Sequence, residues 1–331
     1  GEGQPVGSEK LLWYLNRLAS MSAPELLHRT EELLKKKLSS RRQYRFDVID
    51  SGKFSLPVIP GLREGLEGVR NEKRLVDTWS KLYAEAKAGE YRFLGQKWPK
   101  HVSGSFWSLD PVSGREWPVS EYCFDIPYRH SDDFGDIKFT WEINRLQHLQ
   151  PIAALAALRK DPALVAFCVG QLESWIDENP PFKGVNWSSG IELACRVVSI
   201  LVITSLLGND QFSAGQREKI WSTLDAHGYW LYRYPSRFSS ANNHLVAEAC
   251  ALFILGIAAP QLESSKKWLS YGQQTIEAEV VKQIYPDGVG AEQSPTYLAF
   301  TAEWFVLVGH IASATGIEMN SCFRERLASA G

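Results

Sequence analysis

The sequence predicts a mainly α protein: an (α/α) toroid or incomplete toroid of antiparallel helix pairs, preceded by a loop-rich aromatic segment. Three observations predict it. From about residue 140 to 317, apolar residues recur at helical spacing in segments of about 17–22 residues. Several of these, IELACRVVSILVITSLL above all, are apolar nearly all round, as buried helices are. The breaks between them are short, so consecutive helices are expected to be antiparallel neighbours. Periodicity alone also permits a helical solenoid, although no repeating consensus is present.

Taken in order, residues 8–45 read as two short amphipathic helices. Leu11, Leu12, Leu15 and Leu18 share one face of the first, and the second starts at Ser22 with Pro24 in its first turn. Its end carries Lys35, Lys36, Lys37, Arg41, Arg42 and Arg45, cations that suit a helix C-terminus. Residues 46–70 are punctuated by Pro and Gly and read as linker, which places the domain boundary at 70/71: residues 1–70 as N-terminal helices and linker, 71–331 as the toroid. A helix is expected at about 70–88. The segment 95–140 is loop-rich yet dense in large rings, which must pack on a core or line a binding surface. Helices then follow near 141–159, 162–178, 189–207, 213–233, 243–258, 262–284 and 295–315, broken at DP, NPPFKG, GND, YPSRFSS and YPDGVGAEQSP.

Composition narrows the function. With 44% hydrophobic residues, 22% charged residues and a net charge of −2, nothing draws the chain as a whole to nucleic acid or to an anionic surface. An anionic ligand must be met by a local cleft, and the 12 Trp suit either sugar stacking or a large helical core. The five cysteines are odd in number and lack CxxC spacing, so neither a disulfide framework nor a zinc site is expected. No uninterrupted apolar run suggests a membrane span, and no signal peptide is read.

Three polar clusters interrupt the helical pattern. Trp141, Asn144, Arg145 and His148 fall at i, i+3, i+4 and i+7, one continuous helix stripe suited to an acidic sugar chain. Asn186 and Trp187 precede Ser189 and Glu192, which fit a capping box, while Glu192 and Arg196 fit an i, i+4 ion pair. In the third cluster, Asn242, Asn243 and His244 open one apolar helix, with Glu248 a turn further on. Glu292, Gln293, Ser294, Pro295 and Tyr297 open the next helix but one. Helix starts favour anions, and a carboxylate held there beside an imidazole and a phenol is what proton abstraction next to a uronate requires. Each residue also has a structural explanation: an Asn as N-cap, His244 paired with Glu248, Tyr297 as a core phenol. His244 lacks the H-E-x-x-H pattern of a metallohydrolase.

The segments FGDIKFTWEINRLQHL (134–149), QLESWIDENPPFKGVNWSS (171–189), SSANNHLVAEA (239–249) and IYPDGVGAEQSPTYLAF (284–300) resemble the heparinase II/III polysaccharide lyases, in the family's order and spacing. The opening WYLNRLASMSAPELLHR is similar to members that travel with bacterial surface-polysaccharide genes. The resemblance implies an α/α toroid followed by an antiparallel β-sandwich. Asn243 then matches the asparagine that neutralises the substrate carboxylate, His244 the adjacent base or positioning histidine, and Tyr297 the tyrosine that protonates the leaving oxygen. Trp141, Asn144, Arg145, His148, Asn186, Trp187, Glu248, Glu292 and Gln293 are expected to line the cleft. The 331 residues end shortly after the last expected toroid helix, so the expectation is a toroid without its sandwich. No cofactor is expected within it, and any metal is assigned to the following domain. The implied reaction is β-elimination on a uronate-containing polysaccharide. The competing readings are an α/α-barrel glycoside hydrolase, which needs two opposed carboxylates among Glu142, Glu192, Glu248 and Glu292, and a non-catalytic glycan-binding factor. Oligomeric state and compartment, cytoplasmic or periplasmic, are left open.

Overall fold

The computed structural model describes residues 21–40, 50, 52–100, 105–128, 134–238, 242–291 and 294–330. The chain divides into two compact units, 1–45 and 46–331. In the first, α1 (Ala23–Ser39) starts at Ser22, whose hydroxyl accepts the Glu25 N–H at 3.4 Å, with Pro in the first turn. Its polar side carries Glu25–Arg29 and Glu32–Lys36 pairs, while Leu27, Leu33, Leu34 and Leu38 are exposed. The expected helix of Leu11–Leu18 lies outside the described residues.

The second unit contains α2 (Leu62–Gly68), α3 (Lys73–Lys87), a two-stranded antiparallel ribbon of β1 (Arg92–Phe93) and β2 (Gln96–Lys97), then α4 (Ile137–Asn144), α5 (Leu149–Arg159) and α6 (Pro162–Glu178). A 3₁₀ turn at Val185–Trp187 leads into α7 (Gly190–Leu207), followed by α8 (Ala214–Arg233), α9 (Asn242–Ala258), α10 (Ser265–Gln283), α11 (Pro295–Thr315) and α12 (Ser321–Ala330). Helices α5, α7, α9 and α11 pack side by side as an inner layer. An outer layer covers them: α3 and α6 lie on α5, α8 lies on α7 and α9, α10 lies on α9, and α12 lies on α10 and α11. The reason is legible in composition: α7 and α9 are buried along almost their whole length, so each needs apolar neighbours on every side.

The pairs are antiparallel. Gly256 of α9 lies against Ser265 and Leu269 at the start of α10, and Gly272 of α10 lies against Ala249 and Phe253 of α9. At Gly272 the backbones approach so closely that a Cβ would stand 2.7 Å from both the Ala249 carbonyl oxygen and the Phe253 nitrogen. With outer helices running back between them, the inner helices run the same way and begin on one rim.

Two expectations need correction. The expected linker is, over its described residues 52–70, packed on the helices and bonded to them. Ser205 Oγ accepts the Ile59 N–H at 2.8 Å, Thr204 Oγ1 donates to the Pro57 carbonyl at 3.1 Å, and Arg63 donates to the Ser205 and Leu206 carbonyls at 2.7 and 3.2 Å. The last carbonyls of a helix have no partner within it. This strap supplies them, so the compact unit starts at 46 and not at 71. The helix expected at 141–159 is two helices, because Leu146 turns into the left-handed region at φ 59° and is fully buried there.

The aromatic segment serves the core. Trp98, Trp107 and Trp117 are buried, and Trp107 donates its indole N–H to Ser174 Oγ at 3.0 Å. Trp117, Ile126, Ile137 and Val185 form a satellite cluster with Tyr128, Phe134 and Trp141 packed on it. Four cysteines are buried and Cys322 is exposed, all with free thiols, and burial pushes Cys168 and Cys195 up to about 12. Two helices, Gly190–Leu207 and Thr296–Thr315, are long and apolar enough to cross a bilayer by length and composition; the first lies inside the core.

Candidate active site

Asn243 and His244 stand in the first turn of α9, and Tyr297 stands in the first turn of α11. The two helices pack against each other. The start of α11 is held near the end of α10, where the Ala291 N–H donates to the Gln283 carbonyl at 2.9 Å. Since α10 is antiparallel to α9, its end lies at the beginning of α9, and both helix starts belong to one rim. Asn243 is nearly buried, His244 is half-buried, and Tyr297 is 49% exposed. Ser294 is the N-cap residue of α11 with extended backbone, as its sequence suggests, and Pro295 follows at the first helical position. Glu292 and Gln293 lie outside the described residues, as does the segment 239–241.

The rim also holds the start of α7. Glu248, one turn below His244, is buried and receives the Ser236 N–H and hydroxyl, each at 2.7 Å. Its Oε1 occupies the space beside Gly190, where a Cβ would be 2.1 Å away. The expectation that Glu248 lines the substrate cleft is therefore corrected: it ties backbone segments together beneath the rim.

The expected stripe of Trp141, Asn144, Arg145 and His148 does not exist as one helix face, because α4 ends at Asn144. Asn144 is fully buried, donating to the Trp107 and Thr140 carbonyls at 2.8 and 2.7 Å and accepting the Trp175 indole N–H at 2.8 Å. His148 is enclosed by the rings of Tyr91 and Phe93 at 5.7 and 5.6 Å. Neither ring nitrogen has a partner among the described residues, and burial holds its pKa at about 3. The Asn144 amide and both ring nitrogens of His148 are thus shut off from a ligand at the surface. Trp141 is half-buried, its indole N–H on the Val185 carbonyl at 3.1 Å.

Arg145 keeps polar company, but with protein groups. Its Nε and Nη2 grip Glu192 at 2.6 and 3.1 Å, and Nη1 reaches Glu142 at 3.0 Å. Burial alone would lower the Arg145 pKa; the hydrogen bonds and charge of Glu192 override it and raise the value. Burial also raises the Glu142 carboxyl, with Arg145 opposing and Glu192 reinforcing the effect.

The capping box and the Glu192–Arg196 pair are corrected as well. Ser189 makes no side-chain cap among the described residues, and Glu192 turns to Arg145. Arg196 is buried instead over the Trp175 ring at 4.3 Å, donating to the Asn144 and Asn186 carbonyls at 2.8 and 2.9 Å. Its Nη1 lies 3.2 Å from His227 Nε2. Because His227 Nδ1 faces the Thr223 carbonyl at 2.7 Å, Nδ1 carries the proton and Nε2 accepts from Arg196. Burial and the Arg196 charge hold this imidazole neutral, well below the usual histidine range, and burial pushes Arg196 down to about 9. Asn186 and Trp187, expected to face a ligand, are buried in the same network: Asn186 donates to Asn179 Oδ1 at 2.8 Å, and Trp187 donates to the Asn179 carbonyl at 3.0 Å. Arg196 was read in the sequence as the partner of Glu192; its pairing with His227 was missed, and a lone Arg inside an apolar helix was the available signal.

An inner layer of helices that run the same way, covered by outer helices that run back, is the layering of an α/α toroid. Residues 84–327 match the family model described as the heparinase II/III N-terminus, and the chain belongs to that family. It is 23% identical over 189 residues to a heparin-sulfate lyase of Pedobacter heparinus and 24% identical over 176 residues to one of Bacteroides thetaiotaomicron. These matches cover 55% and 52% of this chain but only 28% and 25% of the relatives, so the chain spans well under half of their length. Among solved structures, the heparan sulfate lyase HepC of Pedobacter heparinus aligns with TM-score 0.55 at 19% identity over 76% of this chain and 37% of that one. A heparinase III structure aligns with TM-score 0.52 at 20% identity over 82% of this chain and 46% of that one. These likenesses establish the toroid in place of the solenoid.

Proposed function

We propose that this chain is the helical catalytic part of a polysaccharide lyase that cleaves a uronate-containing glycosaminoglycan by β-elimination. One observation carries the reading: in a heparinase II/III toroid, Asn243 and His244 open one inner helix, and the exposed phenol of Tyr297 opens the inner helix packed beside it. The C5 hydrogen of a uronate is weakly acidic, and its removal spreads negative charge onto the carboxylate. The Asn243 amide, together with the positive end of the α9 dipole, stabilises that charge most in the transition state. A base on the rim, His244 or the Tyr297 phenolate, takes the C5 proton, and Tyr297 delivers a proton to the leaving glycosidic oxygen. The C4–O bond breaks, leaving one fragment that keeps the glycosidic oxygen as a new reducing end and one whose non-reducing end is a 4,5-unsaturated uronate. Arg145 acts at a remove, because Glu142 and Glu192 already occupy its guanidinium.

The hydrolase reading lacks its two opposed carboxylates among the described residues. Glu142 and Glu192 are engaged by Arg145, and Glu248 is sealed by Ser236. The deciding experiment incubates the full-length protein with heparan sulfate and with non-sulfated uronate polymers and follows ultraviolet absorbance of the conjugated uronate. Absorbance that appears with wild type and falls at least about 100-fold in Tyr297→Phe and in Asn243→Ala is expected. New reducing ends without absorbance would refute elimination.

A further inference from the structure

We propose that Glu248 is a positioning residue that fixes the height of the Asn243–His244 turn on the rim. This rests on the lyase reading above. The carboxylate projects from the second turn of α9, one turn below His244 and on the same helix side. Among the described residues it makes two connections at once. Toward the chain preceding α9, it receives both the N–H and the hydroxyl of Ser236, twelve positions earlier. Toward the neighbouring inner helix, it fills the place of a side chain at Gly190, the first residue of α7. Only glycine admits that approach, since a Cβ would overlap Oε1. The starts of two inner helices and the backbone at Ser236 are therefore referred to one buried carboxylate. The burial of Glu248, at 1% exposure, keeps water from loosening the bonds. The same arrangement explains the Gly in the Ser188-Ser189-Gly190 sequence, which helix propensity alone disfavours.

The test compares Gly190→Ala, Glu248→Gln and Ser236→Ala in the full-length protein. Gly190→Ala displaces the carboxylate without removing it, Glu248→Gln keeps one acceptor, and Ser236→Ala removes only the hydroxyl bond. On heparan sulfate, kcat is expected to fall about 10–100-fold in Gly190→Ala, less in Glu248→Gln and least in Ser236→Ala, with KM within about twofold of wild type. Hydrogen exchange of the peptide spanning 230–238 should accelerate in the same order, a readout independent of turnover. Should Gly190→Ala not fold, the other two still set the order. Unchanged exchange in Glu248→Gln, or accelerated exchange with kcat per folded molecule unchanged, overturns the proposal. If wild type yields no unsaturated product while exchange follows the stated order, the lyase reading falls and the tether stands without a catalytic consequence.

Discussion

Replacing His148 with Phe is expected to remove an acid sensitivity built into the core. His148 is half-buried beside Tyr91 and Phe93, but both its ring nitrogens are shut off from solvent and neither is hydrogen-bonded among the described residues. In the folded chain it stays neutral down to about pH 3, against 6.5 when exposed. Above 6.5 both states are neutral there and the group is silent. As pH falls below 6.5 the unfolded chain takes up a proton that the folded chain refuses, so stability is lost progressively until pH reaches about 3. At pH 5, about 1.5 pH units below 6.5, the loss is about 2 kcal/mol at 1.36 kcal/mol per unit. This value barely depends on how far below 5 the folded pKa lies. Against a total stability of about 5–15 kcal/mol, that is measurable. His148→Phe keeps a ring of similar size in an aromatic cage and carries no proton. The assay is urea unfolding of wild type and His148→Phe at pH 8 and pH 5. Taking the pH 8 difference as the packing reference, the variant should gain about 2 kcal/mol over wild type at pH 5. Parallel pH profiles would refute the reasoning, since they would mean that His148 titrates normally and is therefore solvated.

Two further outcomes are expected from packing and charge. Glu192→Gln leaves Arg145 with Glu142 as its remaining carboxylate partner among those described and should destabilise by about 2 kcal/mol, read as a lower urea midpoint with unchanged slope. Gly272→Ala drives a methyl group into the Ala249 carbonyl oxygen and the Phe253 nitrogen, backbone atoms that cannot rotate away. It should cost about 3 kcal/mol and lower the thermal midpoint by several degrees, and an unchanged midpoint would show that α9 and α10 are not so close.

Sequence by itself determined the helix series and its layering. Runs that are apolar all round, such as 190–207, have to be enclosed whatever the chain does elsewhere, and the short breaks force antiparallel neighbours. The starts of α9 and α11, with Asn243, His244 and Tyr297, were legible for the same local reason: caps and first-turn residues are read within a few positions. What only the tertiary structure decided is which polar side chains face outward. Asn144, His148, Asn186 and Trp187 looked like a ligand surface because helical spacing specifies a face but not its partner. Leu146 breaks the helix, and those groups meet partners tens of positions away: the Trp107 carbonyl for Asn144 and Asn186, the Phe93 ring for His148 and the His227 ring for Trp187. Likewise Glu192 chose Arg145 over Arg196, and Glu248 chose Ser236 and Gly190. A buried charge takes the partner that the packing of distant helices brings within reach, and that partner is written in no local pattern.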